Sequence, residues 1–156
     1  KCMAAYERPF WRSAGFSGEV VSDGQPLTVV FDNTTVDGVP ILLGFIVGQP
    51  ARDWGSRPAA ERREAVLNAF ARWFGDEARQ PLEFVEKDWT LEPYTGGCPI
   101  AVPPPGMWAT HGSALRAPVG SIHWAGTETA TEWMGFMEGA LQSGARVAAE
   151  ILDIES

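Results

Sequence analysis

The amino-acid sequence predicts an α+β or mixed α/β fold, with a sheet first and helices after it. Three observations predict it. Short apolar runs separated by Asp-Gly turn signals fill residues 2–47. Apolar residues three and four apart fill residues 58–74. A last apolar run, residues 121–126, ends on glycine and leads into a segment rich in glycine and alanine. The 156 residues are 45% hydrophobic, enough to build a core, so the chain reads as one globular domain or a large piece of one.

Residues 2–6 read as a strand, stopped by Arg8-Pro9 because proline cannot donate to a ladder. The opening Lys1-Cys2-Met3-Ala4-Ala5-Tyr6 has no initiator Met and no cap or turn before its apolar run. It is expected to be a strand cut into, within a fragment of a longer chain. Residues 16–21 and 27–31 read as two more strands. Ser22-Asp23-Gly24-Gln25 joins them, and Asp-Gly suits a hairpin since glycine accepts positive φ. Asp32-Asn33-Thr34-Thr35 and Asp37-Gly38 mark further turns. Residues 41–47 are apolar throughout, which predicts a strand covered on both faces. The resulting sheet is expected to be antiparallel or mixed.

The period then changes. Val66, Leu67, Phe70, Trp73 and Phe74 share one side of a helix predicted from Pro58 to Phe74, with Ser56 as N-cap and Gly75 just past the end. Residues 82–85 alternate like a short strand that ends near Trp89. Residues 95–106, with Pro103, Pro104 and Pro105 in succession, read as a stiff loop. Residues 121–126 read as a short buried strand. A second helix is predicted over about 135–152, where Gly139, Ala140, Ser143, Gly144 and Ala145 allow close packing.

Composition excludes several functions. A net charge of −8 opposes binding to nucleic-acid phosphates. The longest apolar run, residues 41–47, is too short to cross a bilayer. No segment reads as a secretory leader, and two cysteines cannot build a disulfide framework, so a cytoplasmic location is expected. His111 and His123 lack partners at ligand spacing, so no metal site is expected. No phosphate loop, Gly-x-Ser-x-Gly element or Gly-x-Gly-x-x-Gly turn follows any strand.

The most informative segment runs from residues 122–125 through Gly126-Thr127-Glu128-Thr129 to Gly135-Phe136-Met137-Glu138-Gly139. A helix start leaves N–H groups unpaired and carries the positive end of the dipole. Glycine in the turn lets a flat ligand approach the backbone. Such a place suits an electron-rich cofactor edge, such as the N1 and C2 carbonyl of a flavin. On the residues alone, an ordinary glycine-rich strand-to-helix turn is the simpler reading.

The run Ile122-His123-Trp124-Ala125-Gly126-Thr127-Glu128-Thr129-Ala130-Thr131-Glu132-Trp133-Met134-Gly135-Phe136-Met137-Glu138-Gly139-Ala140 closely resembles the C-terminal flavin-binding signature of the flavin-containing amine oxidases, the monoamine oxidase family. The resemblance extends over nearly the whole chain, through Pro9-Phe10-Trp11-Arg12, Lys87-Asp88-Trp89 and Tyr94-Thr95-Gly96-Gly97-Cys98. It implies a partial FAD-dependent amine oxidase fold. Residues 1–88 would form part of the substrate-binding domain, built on a mixed sheet with its helix. Residues 89–156 would form the C-terminal part of the FAD-binding domain, with its closing strand and helix.

Residue roles follow from the resemblance. Cys98 stands where monoamine oxidases attach FAD covalently through a thioether, with Gly97 beside it clearing room. By itself, Cys98 reads equally as a small hydrophobe. Lys1 matches the lysine that reaches flavin N5 through a water, although a chain-terminal lysine is ordinarily solvated. Trp89 matches the tryptophan beside the isoalloxazine, a role compatible with core filling. Gly126, Thr127, Gly135, Phe136 and Met137 match cofactor-lining positions. Pro99 and Phe136 stand where the animal enzymes carry the two tyrosines that sandwich the amine. Phe136 keeps an aromatic wall without a hydroxyl, and Pro99 removes the other half.

The implied activity is FAD-dependent oxidative deamination: amine, O2 and water give aldehyde, ammonia and hydrogen peroxide. The implied partners are a small-molecule amine and O2. Alternatives are a polyamine or amino-acid oxidase, and a noncatalytic fragment without flavin that assembles as a homo-oligomer. The chain alone is expected to be inactive and to hold no stoichiometric FAD.

Overall fold

The alternating apolar residues at the start of the chain form strand β1, Cys2–Ala5. A single helical turn, α1, follows at Phe10–Ser13. Strands β2 (Val20–Val21), β3 (Val29–Asp32), β4 (Ile41–Phe45) and β5 (Glu83–Glu86) complete a five-stranded sheet in the order β2-β3-β4-β1-β5. Every pairing among them is antiparallel. The computed structural model describes residues 1–24, 26–98 and 100–155. The chain divides into two compact units, Lys1–Trp89 and Thr90–Ser156.

In the first unit the helix read at 58–74 is α3, Ala59–Phe74. Val66, Leu67, Phe70 and Phe74 pack with Cys2, Ala4, Val30 and Leu42 in one core, so α3 covers one face of the sheet. Tyr6, Phe10 and Trp11 close the end of that core edge to face, with ring centroids 5.1–5.8 Å apart. Tyr6 donates its hydroxyl to the Ala78 carbonyl (3.0 Å). Gly75 ends α3 at φ 96°, a conformation that favours glycine.

Several elements differ from expectation. Ser56 does not cap α3; Pro58 occupies that place, and Ser56 donates to Asp53 O (3.0 Å) at the end of a short helix α2, Gly48–Gly55. The strand expected over 16–21 keeps only Val20 and Val21, because residues 14–16 are held in a turn by the Gly15 and Phe16 N–H bonds to Arg12 O and Trp11 O. Leu27 leaves the ladder and is fully buried. Its methyls lie against Gly44, where an added Cβ would come within 2.8 Å. Strand β4 is covered on one face only: Leu42 and Gly44 are buried, while Ile41, Leu43 and Phe45 are half-buried.

The second unit is helical. Helix α4 (Met107–His111) occupies residues that follow the proline run. The expected strand at 121–126 takes the form of one antiparallel bridge, Val119 with Ile122. Both its N–H groups bond across that tight turn (2.9 and 3.1 Å), and Ile122 and Trp124 are exposed rather than buried. Helix α5 spans Met137–Glu155. Among the described residues no helix is long and apolar enough to cross a membrane.

Candidate functional site

In the second unit the polypeptide between Gly126 and Gly135 folds back on the start of α5. Gly126 adopts φ 150°, and residues 127–129 form one 3-10 turn. Gly135 adopts φ 88°, open to it because glycine lacks a Cβ. Thr127 ties the two ends together: its Oγ1 accepts the Gly135 N–H (2.7 Å) and donates to the Phe136 carbonyl (3.0 Å). Gly139 lets this segment lie directly on α5, since a Cβ there would stand 2.3 Å from the Trp133 carbonyl oxygen. Phe136 and Met137 remain exposed at the helix start, with Trp133 edge-on to Phe136 (6.0 Å).

The loop bearing Cys98 joins the same group. Glu128 Oε1 accepts the Ala101 N–H (3.1 Å). Ile100 reaches within 3.5 Å of where a Gly135 side chain would begin. Cys98 is a half-buried free thiol. Gly97 adopts φ 149°, and a Cβ built on it or on Gly96 meets nothing within 4 Å. Gly97, Cys98, Gly126, Thr127, Gly135, Phe136 and Met137 thus belong to one unit. Pro99 lies outside the described residues.

Lys1 and Trp89 belong to the first unit. Lys1 extends β1 by one residue: its nitrogen donates to the Lys87 carbonyl, and Lys87 N–H donates to the Lys1 carbonyl, both at 2.9 Å. The Lys87 ammonium lies 5.6 Å from the Trp89 ring centroid. The Lys1 ammonium lies 5.3 Å from the centroid of the Phe45 ring.

That last contact marks a surface that the sequence reading missed. Cross-strand partners share a face, and the pairs Met3–Leu43, Phe31–Leu43, Met3–Val85 and Val29–Phe45 put six apolar side chains on the face opposite α3. Phe31 and Phe45 meet edge to face (6.0 Å). Met3, Phe31 and Val85 are exposed. The signal was present as period-two alternation, yet alternation does not say which face a helix will cover.

Also missed was the polar support beneath the turn. Buried Ser143 accepts the Gly126 N–H (2.9 Å). Arg146 donates to the Trp124 carbonyl (2.7 Å). His123 has a polar role: its Nδ1 lies 3.0 Å from Glu150 Oε2. Hydrogen bonds from His123 and then Arg146 hold the Glu150 carboxyl below its usual range. Among the described residues no cluster of three or more His, Cys, Asp and Glu side chains could hold a metal.

Residues 1–152 match the model of the family described as flavin containing amine oxidoreductase. The chain is 49% identical over 152 residues to the putative flavin-containing monoamine oxidase AofH of Mycobacterium tuberculosis, covering 97% of this chain and 33% of that protein. It is 46% identical over 154 residues to the probable flavin-containing monoamine oxidase A of Dictyostelium discoideum, covering 98% and 34%. The structure of a putrescine oxidase bound to putrescine superposes with a TM-score of 0.91 at 34% identity, over 98% of this chain and 34% of that one. The chain therefore spans about a third of the length of the curated relatives it matches.

Proposed function

Because the chain belongs to the flavin-containing amine oxidoreductases, we propose that it supplies the flavin-facing turn and part of the amine-binding wall of an FAD-dependent amine oxidase. Residues 1–88 serve the substrate domain and residues 89–156 the FAD domain. One observation carries this reading: a glycine-lined turn, tied by Thr127, opens onto the start of α5 with free space beside Gly97.

Those features fit one edge of a flat ring. Gly126 and Gly135 would let a ring come close to the backbone, Phe136 and Met137 would flank it, and the positive end of α5 would suit its electron-rich atoms. When bound, FAD supplies the redox chemistry by accepting a hydride equivalent from the α-carbon of the amine. Overall, amine, O2 and water become aldehyde, ammonia and hydrogen peroxide. By resemblance to the family, Trp89 would pack beside the ring and Lys1 would hold a water near its N5. Cys98, a free thiol in the glycine-flanked loop, would supply the sulfur if the flavin is held through a thioether at its 8α-methyl carbon.

The open face of the sheet favours an apolar monoamine. Its cross-strand pairs put Met3, Phe31, Leu43 and Phe45 on one face, with the Lys1 ammonium beside Phe45, a surface suited to an apolar substrate. A diamine or polyamine would need a carboxylate for its second ammonium. Glu83, on edge strand β5 opposite Ala5, is the candidate. The same exposed apolar face supports a second reading, self-association of the chain without flavin. The cytoplasm is the compartment proposed, since both cysteines are free.

Amine-dependent peroxide release from the full-length protein tests the activity. Apolar monoamines should outperform putrescine and amino acids, and peroxide from none of these with flavin bound would remove the assignment. Acid precipitation of the holoprotein tests the link: colour in the pellet supports Cys98 attachment, and colour in the supernatant refutes it.

A further inference from the structure

The flavin-facing turn is held by groups that lie behind it. Gly126 adopts φ 150°, and because glycine itself is conformationally permissive its place depends on its tethers. Ser143 is 1% exposed. Its hydroxyl hydrogen is committed to the Ala140 carbonyl (2.9 Å), so toward Gly126 N–H it acts only as acceptor. Arg146 Nη2 takes the Trp124 carbonyl (2.7 Å) and Thr129 Oγ1 (3.2 Å), while its Nη1 is anchored by Glu150. Arg116 donates from Nε to the Thr129 carbonyl (2.9 Å) and from Nη2 to the Ala130 carbonyl (3.0 Å). Carbonyls before and after the turn thus go to two guanidiniums, and the N–H at its hinge goes to a buried hydroxyl.

This arrangement has a chemical consequence. The Gly126 N–H is spent on Ser143 and the Gly135 N–H on Thr127. Neither is left to donate to a bound ring. At these two positions the glycines provide close approach rather than hydrogen bonds.

We propose that Ser143 and Arg146 are positioning residues for the flavin, acting through residues 126–129 to set the distance between the ring edge and the start of α5. The proposal rests on the flavin-site reading given above. Its test uses the full-length flavoprotein, with FAD binding, the visible flavin band and the midpoint potential measured for Ser143→Ala, Ser143→Cys, Arg146→Met and Arg146→Lys. Cysteine is slightly larger than serine and accepts weakly, so Ser143→Cys removes the tether without a cavity. Lysine keeps the charge but lacks the fork.

Each variant should weaken FAD binding by about tenfold, the worth of one well-placed hydrogen bond. Each should also shift the band and the potential, quantities readable even if the flavin is covalently held. Ala149→Ser, on the exposed side of α5, serves as the control without change. Variants with a lower melting temperature but wild-type band, potential and affinity would overturn the positioning role. Wild-type protein that takes up no FAD would instead remove the flavin-site reading, and this proposal with it.

Discussion

Asp32 shows how much one side chain can organise. Its carboxylate accepts from Trp11 Nε1 (2.8 Å), Arg12 Nε (2.6 Å) and the Thr34 N–H (3.0 Å), and from the Thr34 hydroxyl. Burial pushes its pKa up, but the hydrogen bonds from Arg12, Thr34 and Trp11 outweigh it and hold the value at about 2, against 3.8 for a free carboxyl. A group depressed in the native state stabilises it above the unfolded pKa, and that contribution disappears as pH falls from near 4 toward 2. Denaturant midpoints followed by tryptophan fluorescence should fall more steeply over that window for the wild type than for Asp32→Asn. Equal slopes would show that the carboxylate adds nothing. The two cysteines differ in burial, Cys2 being buried and Cys98 half-buried. Burial pushes the Cys2 thiol up to about 11, so it stays protonated and covered at neutral pH. A maleimide should label Cys98 alone in native, flavin-free protein, and both after denaturation; native labelling of Cys2 would contradict its place under α3.

At the scale of elements, α3 is held by its buried face rather than by its ends, since no side chain caps it. Phe70 is fully buried among Cys2, Ala4 and Leu42. Phe70→Ala should cost about 3–5 kcal/mol in unfolding free energy, as expected for a vacated aromatic site. Helix α5 depends on contact with a neighbouring segment. A methyl at Gly139 would strike the Trp133 carbonyl at 2.3 Å and approach Ala130 Cβ at 3.1 Å. Backbone cannot swing aside as a flexible side chain would, so Gly139→Ala should lower stability by about 1–3 kcal/mol despite its better helix propensity. A melting temperature equal to or above the wild type would show that the 126–135 segment does not lie on α5.

At the scale of the molecule, each unit leaves apolar side chains open. The first shows an apolar sheet face, and the second shows Trp133, Phe136 and Met137 beside the start of α5. The relatives are about three times the length of this chain. Residues 1–156 expressed alone should therefore retain less than one FAD per chain, while the full-length protein retains one, as read from the absorbance ratio of flavin to protein. Stoichiometric FAD on the shorter chain would mean that these two units suffice to hold it.

The sequence by itself determined the local elements with strong periods, and the motif. Strands β1 and β4, helix α3, the glycine that ends it, and the Gly126 to Gly139 signature were all legible, because each is specified by neighbours along the chain. Short helices were not. Helix α2 contains Gly-Gln-Pro, and α1 and α4 are only four and five residues long, too short for a period to show. Only the tertiary structure decided which sheet face stays open, because that depends on where α3 docks. It alone decided that residues 121–126 stop at one bridge, since a strand needs a ladder beside it. It alone joined Ser143 to Gly126 across 17 residues, because a buried hydrogen bond depends on where two segments come to rest, and neither segment encodes that separately.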